Sequence, residues 1–496
     1  MFEALVQALA NILTPVHLAM LVAGVLIGLS LGVIPGIGGV TGLALLLPFT
    51  FDMGPVTAFA FLIGMLAVTT TSDTIPSVLF AIPGTVGSQA TIIDGHAMAR
   101  KGEAGRALGA AFTVSALGGL FGALVLTVSI PILKPLVLAF GSPEFFMMAV
   151  LGVSMVASLS GSAPMRGIVA GGMGLLLAMV GMDPLLGVER WTFEQVYFWD
   201  GIHVVPLSLG LFGMAELADL IVRGTSIASG PVGLLKGRWD GVHDAFRHWW
   251  LMLRSSALGV WIGIIPGLGS LVVDWFAYGH AVHTEKNPEN FGRGDVRGVI
   301  APESANNAKE GGGLIPTLAF GIPGSTTMAL FLGAMMVQGL TPRPEMLTKH
   351  LDLIFTIAWS LALANVIGTG ICFLLTNRLA WIATIRGQIL APVLLVIMFL
   401  AAFMANRHVG DLMLLLSFGA IGWFMKRFGW PRPPLIIGFI LGGVVEKYLY
   451  ISILTYGSSW LTRPGVLVLF LLIIAALVYP AIRQHRAKET STVEGP

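Results

Sequence analysis

Apolar runs about as long as a bilayer is thick alternate along the chain with short polar stretches, and several of them are cut by Pro and Gly. Continuous spans are expected at about residues 15–32, 108–133, 145–159, 168–180, 204–222, 353–375, 389–405, 412–424, 434–449 and 466–479. Other runs are too short to cross unaided. That at 40–51 reads as a half-helix or re-entrant piece, the runs at 257–265, 271–279 and 330–340 stand around the breaks of the second half, and the run at 55–67 leads into a polar knot, Thr69-Thr-Thr-Ser-Asp73. Together they predict an all-α polytopic membrane protein with about 12 to 14 spans, broken ones included.

The interruptions repeat. The stretch Thr74-Ile-Pro-Ser-Val-Leu-Phe-Ala-Ile-Pro-Gly-Thr85 returns as Leu314-Ile-Pro-Thr-Leu-Ala-Phe-Gly-Ile-Pro-Gly-Ser325, and upstream Gly32-Val-Ile-Pro-Gly is answered by Gly263-Ile-Ile-Pro-Gly. Ile-Pro-Gly occurs four times, where composition alone gives roughly a quarter of one occurrence, so the chain is internally duplicated. Pro lacks an N–H and Gly admits left-handed backbone, so each pair is expected to break a helix. The division that follows is a first repeat at 1–222, a basic cytoplasmic connector at 223–254, a second repeat at 255–450, and a last helix with a basic tail at 451–496. The positive-inside rule puts the loop at 94–106, with Arg100, Lys101 and Arg106, in the cytoplasm, together with the tail carrying Arg483 and Lys488. Counting back from that tail places 341–350 outside, against Arg343 and Lys349 there. The repeats are therefore expected to run in opposite directions, with the N-terminus periplasmic and the C-terminus cytoplasmic.

Composition removes other classes. Of 496 residues 55% are hydrophobic and 11% charged, against about 25% charged in a soluble domain, and mean hydropathy is +0.86. A net charge of +2 says nothing about partners; lipid is the expected surroundings, and no nucleic-acid partner is expected. The lone Cys372 precludes a disulfide within the chain and is expected to be a buried, inert thiol. The N-terminal stretch has no basic residue before its apolar run, so the first helix is expected to remain. No catalytic constellation stands out: Gly36-Ile-Gly-Gly39 lacks a βαβ context, and the histidines have no metal spacing.

Hydroxyl residues follow each main break: Thr85 and Ser88 in one copy, Ser325, Thr326 and Thr327 in the other. Half-helices starting there would present free N–H groups and a positive dipole end, which suits a carboxylate without any fixed basic side chain. The expected solute site is Gly36, Gly38, Pro83, Gly84, Thr85, Ser88, Gly267, Gly269, Pro323, Gly324, Ser325 and Thr326. Ser72, Asp73, Asn306 and Asn307 offer oxygens for a coupling ion: a hard cation such as Na⁺, or H⁺ on a titrating Asp. The plain readings are Pro-kinked helices packed through Ser and Thr, and capping or a water-exposed turn for Asn306 and Asn307. The polar residues from 280 to 313 read as an insert outside the apolar regime, and Gly24 with Gly28 as a helix-packing pair.

Three runs carry a resemblance: Asp94-Gly-His-Ala-Met-Ala-Arg-Lys-Gly-Glu-Ala-Gly-Arg-Ala-Leu108, Gly298-Val-Ile-Ala-Pro-Glu-Ser-Ala-Asn-Asn-Ala308, and Gly321-Ile-Pro-Gly-Ser325. From residue 24 to about 443 the chain resembles the large membrane subunit of the tripartite tricarboxylate transporters. It departs in having His96-Ala97 where the family commonly has Tyr-Pro, which could alter a turn near the hairpin, and Arg343 where Gly is usual. The resemblance implies a bacterial inner-membrane system in which a periplasmic carboxylate-binding protein delivers the solute, a small four-helix membrane subunit accompanies this chain, and a sodium gradient drives uptake. No further cofactor is implied. The alternatives are a carboxylate carrier working alone, and an intramembrane enzyme or sensor using the broken helices as a polar cavity. Citrate, other tricarboxylates, dicarboxylates and aromatic acids would all satisfy backbone dipoles.

Overall fold

The computed structural model describes every residue except 1, 35–37, 159–163, 184–186, 224–235, 267–268, 341–345, 383–384, 386 and 478–496. Gly36, Gly267, Arg343, the basic tail and residues 224–235 of the connector therefore lie outside the described residues.

The first repeat opens with α1 (Phe2–Ile12) and α2 (Pro15–Val33), whose Pro15 sits in the first turn, where a missing N–H costs nothing. After the first break come α3 (Gly39–Leu46) and α4 (Pro55–Ser72), which passes through Asp73 into α5 (Thr74–Phe80) as one rod. The polar knot is helical rather than an interruption. Thr69 and Thr70 hydroxyls donate to the carbonyls of Leu66 and Ala67 at 2.8 and 3.2 Å, so the helix satisfies them itself. Next come α6 (Thr91–Arg100), α7 (Ala104–Ala139), α8 (Ser142–Ser158) and α9 (Pro164–Ala178). A two-stranded ribbon, β1 (Gly181–Met182) with β2 (Glu189–Arg190), precedes α10 (Val204–Ser208), a π-helical turn Leu209–Met214 and α11 (Ala215–Arg223).

The short α12 (Arg238–Arg247) lies on α7, where Arg106 Nε donates to Asp244 at 2.6 Å. The second repeat follows with α13 (Trp249–Ile264), α14 (Gly269–Thr284), α15 (Arg297–Phe320) and α16 (Thr326–Val337). It continues through α17 (Met346–Lys349), α18 (Leu351–Ile382), α19 (Gly387–Asn406), α20 (Val409–Arg427) and α21 (Pro433–Tyr456) to the final α22 (Pro464–Leu477). Among the described residues six helices are long and apolar enough to cross a membrane, and seven shorter apolar ones accompany them. Cys372 is buried.

Two expected loops are corrected. The segment 94–106 is α6, a turn at 101–103 and the start of α7, so His96 and Ala97 sit inside a helix and no turn is altered there. The insert at 280–313 shrinks to 285–296, because α15 runs straight through Glu303, Asn306, Asn307, Lys309 and Glu310, all buried. Hydropathy counts such groups as facing water; here they bond to one another inside the bundle. Asn306 and Asn307 are 0% exposed, which removes the capping and wet-turn readings.

Helices approach closely through glycine. At Gly24 and Gly28, α2 lies against α4: a Cβ on Gly28 would come within 2.8 Å of Met65 Cα. The two repeats are interlaced, with α7 packed on α15 and α18 packed on α4. The 285–296 connection is held by Asp94, whose carboxylate accepts from Tyr278 OH (2.9 Å) and from the N–H groups of Gly292 (3.1 Å), Gly294 (2.7 Å) and Asp295 (2.9 Å). Asp94→Asn turns an amide N–H toward those donors and is expected to cost about 2–4 kcal/mol, since hydrogen bonds to a charged group contribute ~1.5–3 each. Hydrogen exchange at 292–295 in detergent should accelerate in the variant. In the same connection burial works to raise Asp295, but the bonds and charge of Arg297 outweigh it and hold the carboxyl below its ordinary range.

Candidate functional site: two capped helix breaks

Both duplicated stretches break at the same place and in the same way. The first Pro of each copy, Pro76 and Pro316, stays inside its helix, and the helix ends at Phe80 or Phe320. The next residue turns left-handed, Ala81 at φ +55 and Gly321 at φ +70. In each copy the N–H of the following isoleucine, Ile82 or Ile322, donates to the proline carbonyl, at 3.3 and 3.2 Å. Ala81 adopts without glycine's freedom a conformation that costs an L-residue roughly 1–2 kcal/mol.

The hydroxyls after each break are caps. Thr85 Oγ1 accepts from Gly87 N at 3.2 Å and Ser325 Oγ accepts from Met328 N at 3.2 Å. The copies then diverge. In the second a 12-residue helix, α16, follows at once, whereas in the first there is only a 3₁₀ turn, Val86–Ser88, before α6. A full half-helix dipole thus exists at Ser325 and not at Thr85. Exposure differs too: Thr85 is half-buried beside exposed Ala81 and Val86, while Pro323, Gly324 and Ser325 are buried and Thr326 is half-buried.

The glycines explain how the breaks are seated. A Cβ on Gly84 would lie 2.6 Å from Gly32 O and 2.6 Å from Asp73 Cα; one on Gly324 would lie 2.5 Å from Gly263 O and 3.0 Å from Gly313 Cα. Gly32 and Gly263 lie in the last turns of α2 and α13, so each main break rests on the backbone of the helix end that leads into the earlier Pro-Gly stretch of its own repeat. Gly38, the residue before α3, faces Thr85, and Gly39 faces Thr327 and Thr69, with a built Cβ 3.4 Å from each. The first repeat's earlier break thereby touches both main breaks. Gly269 opens α14, which packs on the Val86–Ser88 turn. Pro83 is half-buried at the exposed break, and Ser88 Oγ, fully buried, accepts from Ser77 Oγ at 3.0 Å.

Beside the first break lies a buried polar cluster. Asp73 is 0% exposed; its Oδ2 accepts from the Thr85 hydroxyl, and its Oδ1 has no partner among the described residues. Ser72 Oγ and Asn307 Oδ1 are likewise buried and unpartnered, while Asn307 Nδ2 donates to Thr71 Oγ1 (2.8 Å) and Asn365 Oδ1 (3.0 Å). Asn306 differs, because its Oδ1 already accepts from Lys309 Nζ at 2.7 Å. Three of the four expected ion-coupling residues therefore keep a buried oxygen free. A buried acceptor without a hydrogen-bond donor is costly, and a hard cation is one way to offset it.

Of the remaining members of this cluster, the sequence marks Asp274 and Glu303 as acids close to the breaks, and Lys309 is the one that sequence reasoning missed. Lys309 has its three N–H bonds on Asn306 O (2.9 Å), Asn306 Oδ1 and Glu310 Oε1 (2.8 Å), a satisfied ammonium. Glu303 accepts from Thr74 Oγ1 and Thr91 Oγ1, each at 2.6 Å, and Asp274 accepts from Ala90 N at 2.9 Å. Both acids reach from the second repeat onto the segment around the first break. The only available signal was the pairing of polar types in 303–310 with hydroxyls in 69–91.

A separate cavity of about 580 Å³ lies between the ribbon, the start of α10 and one side each of α16 and α21. Arg190 lines it but is bound to Glu446 in a two-toothed pair, with Asp183 3.4 Å away, and Asp200 adds a further acid. Acids outnumber bases there, which does not suit a carboxylate.

Fold and site together define a polytopic α-helical membrane protein organised around paired, capped helix breaks. A family model described as the tripartite tricarboxylate transporter TctA family matches residues 18–437. The chain belongs to that family, and the coarse function follows: a large subunit of a tricarboxylate transporter, from a class of systems with three parts. It is 33% identical over 482 residues, 96% of each chain, to an uncharacterized 52.8 kDa protein in the TAR-I ttuC' 3' region of Agrobacterium vitis. It is also 31% identical over 234 residues to an uncharacterized protein in the TAR-II ttuC' 3' region of Agrobacterium vitis, covering 46% of this chain and 97% of that one. No solved structure matches.

Proposed function

We propose that this chain takes up tricarboxylates or related organic carboxylates by alternating access, coupled to Na⁺, in a bacterial inner membrane. The observation that supports the reading best is the pair of capped breaks at 81–85 and 321–325, one partly open and one closed, with an unpartnered Asp73 oxygen beside the open one. The solute's carboxylates would be received by N–H groups and hydroxyls at Thr85, Ser88, Ser325 and Thr326, with Gly84 and Gly324 allowing close approach. Na⁺ would sit on Asp73 Oδ1, with Ser72 and Asn307 nearby in sequence or across the helix pair. The two repeats would lie in opposite orientations in the membrane, the arrangement in which one repeat can rock against the other. The partners would be a periplasmic carboxylate-binding protein and a small four-helix subunit.

Uptake of labelled citrate into proteoliposomes carrying both membrane subunits, with binding protein added outside, tests the reading. Replacing external Na⁺ by choline at fixed pH should reduce uptake to background. Undiminished uptake in choline would reject Na⁺ coupling, and uptake without the binding protein would favour a carrier working alone.

A further inference from the structure

Glu303 is fully buried in the second turn of α15, and its two oxygens clamp both flanks of the first break. Thr74 opens α5 before the break and Thr91 opens α6 after it. Among the described residues no cation bonds this carboxyl. Lys309 is fully engaged by Asn306 and Glu310. The charged groups acting on Glu303 from neighbouring elements are Asp73 and Asp274, both acids. On α6, Asp94 is taken by the 285–296 connection and His96 by Val78 O; on α7 and α13, Arg106 and Arg254 are bound to Asp244 and Glu285.

Among the described residues, the cluster beside the first break thus holds four buried acids, Asp73, Asp274, Glu303 and Glu310, against one buried base, Lys309. Within an apolar bundle such a surplus of negative charge is offset by bound cations or protons. The unpartnered, fully buried Asp73 Oδ1 and Ser72 Oγ point independently to a ligand in this region. At Asp73 a metal ion can be accommodated. At Glu303 each oxygen stands 2.6 Å from a hydroxyl oxygen, which is hydrogen-bond spacing; oxygens sharing a hard cation each stand about 2.3–2.6 Å from the ion and so further from one another.

We propose that Glu303 is a proton site that loads when a carboxylate solute enters the first break, so that a proton travels with the solute in addition to the cation at Asp73. This rests on the carboxylate-uptake reading. The step is an ionisation only: a proton from the outer water forms the O–H of neutral Glu303, and the same O–H breaks as the proton leaves to the inner water. Both forms keep both oxygens bonded, because a threonine hydroxyl accepts as readily as it donates. An arriving solute carries negative charge toward the site and favours the neutral form, which couples the two loadings.

The test uses the purified full chain in detergent at saturating Na⁺, in weakly buffered alkaline medium where citrate is fully ionised. Citrate binding is followed by calorimetry and proton uptake by an indicator dye. The wild type should take up close to one proton per citrate bound, and Glu303→Gln should bind citrate and take up none. Citrate binding by the wild type without proton uptake, or equal uptake by the Gln variant, overturns the inference and leaves the carboxylate reading standing. Failure to bind citrate, succinate or benzoate overturns both. Should the variant not insert, the wild-type infrared difference spectrum with ¹³C-labelled citrate decides: a new protein carboxylic-acid C=O band is expected, and its absence overturns the proposal.

Discussion

Gly84→Leu and Gly324→Leu each reduce solute uptake to background, while the protein still reaches the membrane in folded form. A side chain at either position meets backbone rather than the yielding end of a neighbour: Gly32 O and Asp73 Cα in one case, Gly263 O and Gly313 Cα in the other. Backbone cannot rotate out of the way, so the break itself must lift off the helices that seat it. A displacement of about 1 Å of groups that position a ligand can cost ~100-fold in rate. The stability cost is smaller, about 1–3 kcal/mol for overpacking. Normal yield in the membrane with uptake at least ~100-fold down is the expected pair of results. Near-normal uptake in both variants would mean that solute does not pass these breaks.

Asp73→Asn removes Na⁺ from the cycle. The carboxylate is the only charged member of the expected cation set, and its free Oδ1 is the atom a cation would meet. An amide can still accept from Thr85 through its oxygen, so the cap and the break should persist. In the wild type, Na⁺ at about 100 times its Kd should stabilise the purified protein by about 2.7 kcal/mol against thermal unfolding, the value mass action gives for one site. In the variant that increment should vanish, and Na⁺-driven uptake with it. An unchanged response of melting temperature to Na⁺ would move the cation elsewhere.

What could be read beforehand was local. Pro and Gly act on the backbone where they stand, so the breaks at 81–85 and 321–325 were legible as sequence. The hydroxyls after them were expected as donors to a solute and not as the helix caps that Thr85 and Ser325 form. Distance was not legible. Glu303 and Lys309 look like water-facing residues until the helix carrying them is seen buried between neighbours, with Thr74, Thr91 and Asn306 as partners. The same rule misread 94–106, where Asp94 is an anchor for a connection some 200 residues away rather than part of a wet loop. The copies also differ more than the matched letters suggest, since Gly313 stands where the other repeat has Asp73. One repeat carries the acid and the other the long half-helix, a division of labour visible only once both were placed.

A map of the protein with citrate and Na⁺ bound decides whether main-chain groups at the paired breaks receive the solute. Density for citrate between Thr85 and Ser325, touching N–H groups and hydroxyls, with a cation on Asp73, is the predicted result. Citrate held instead by Lys309 or Arg190, or in the 580 Å³ cavity beside the ribbon, would contradict it.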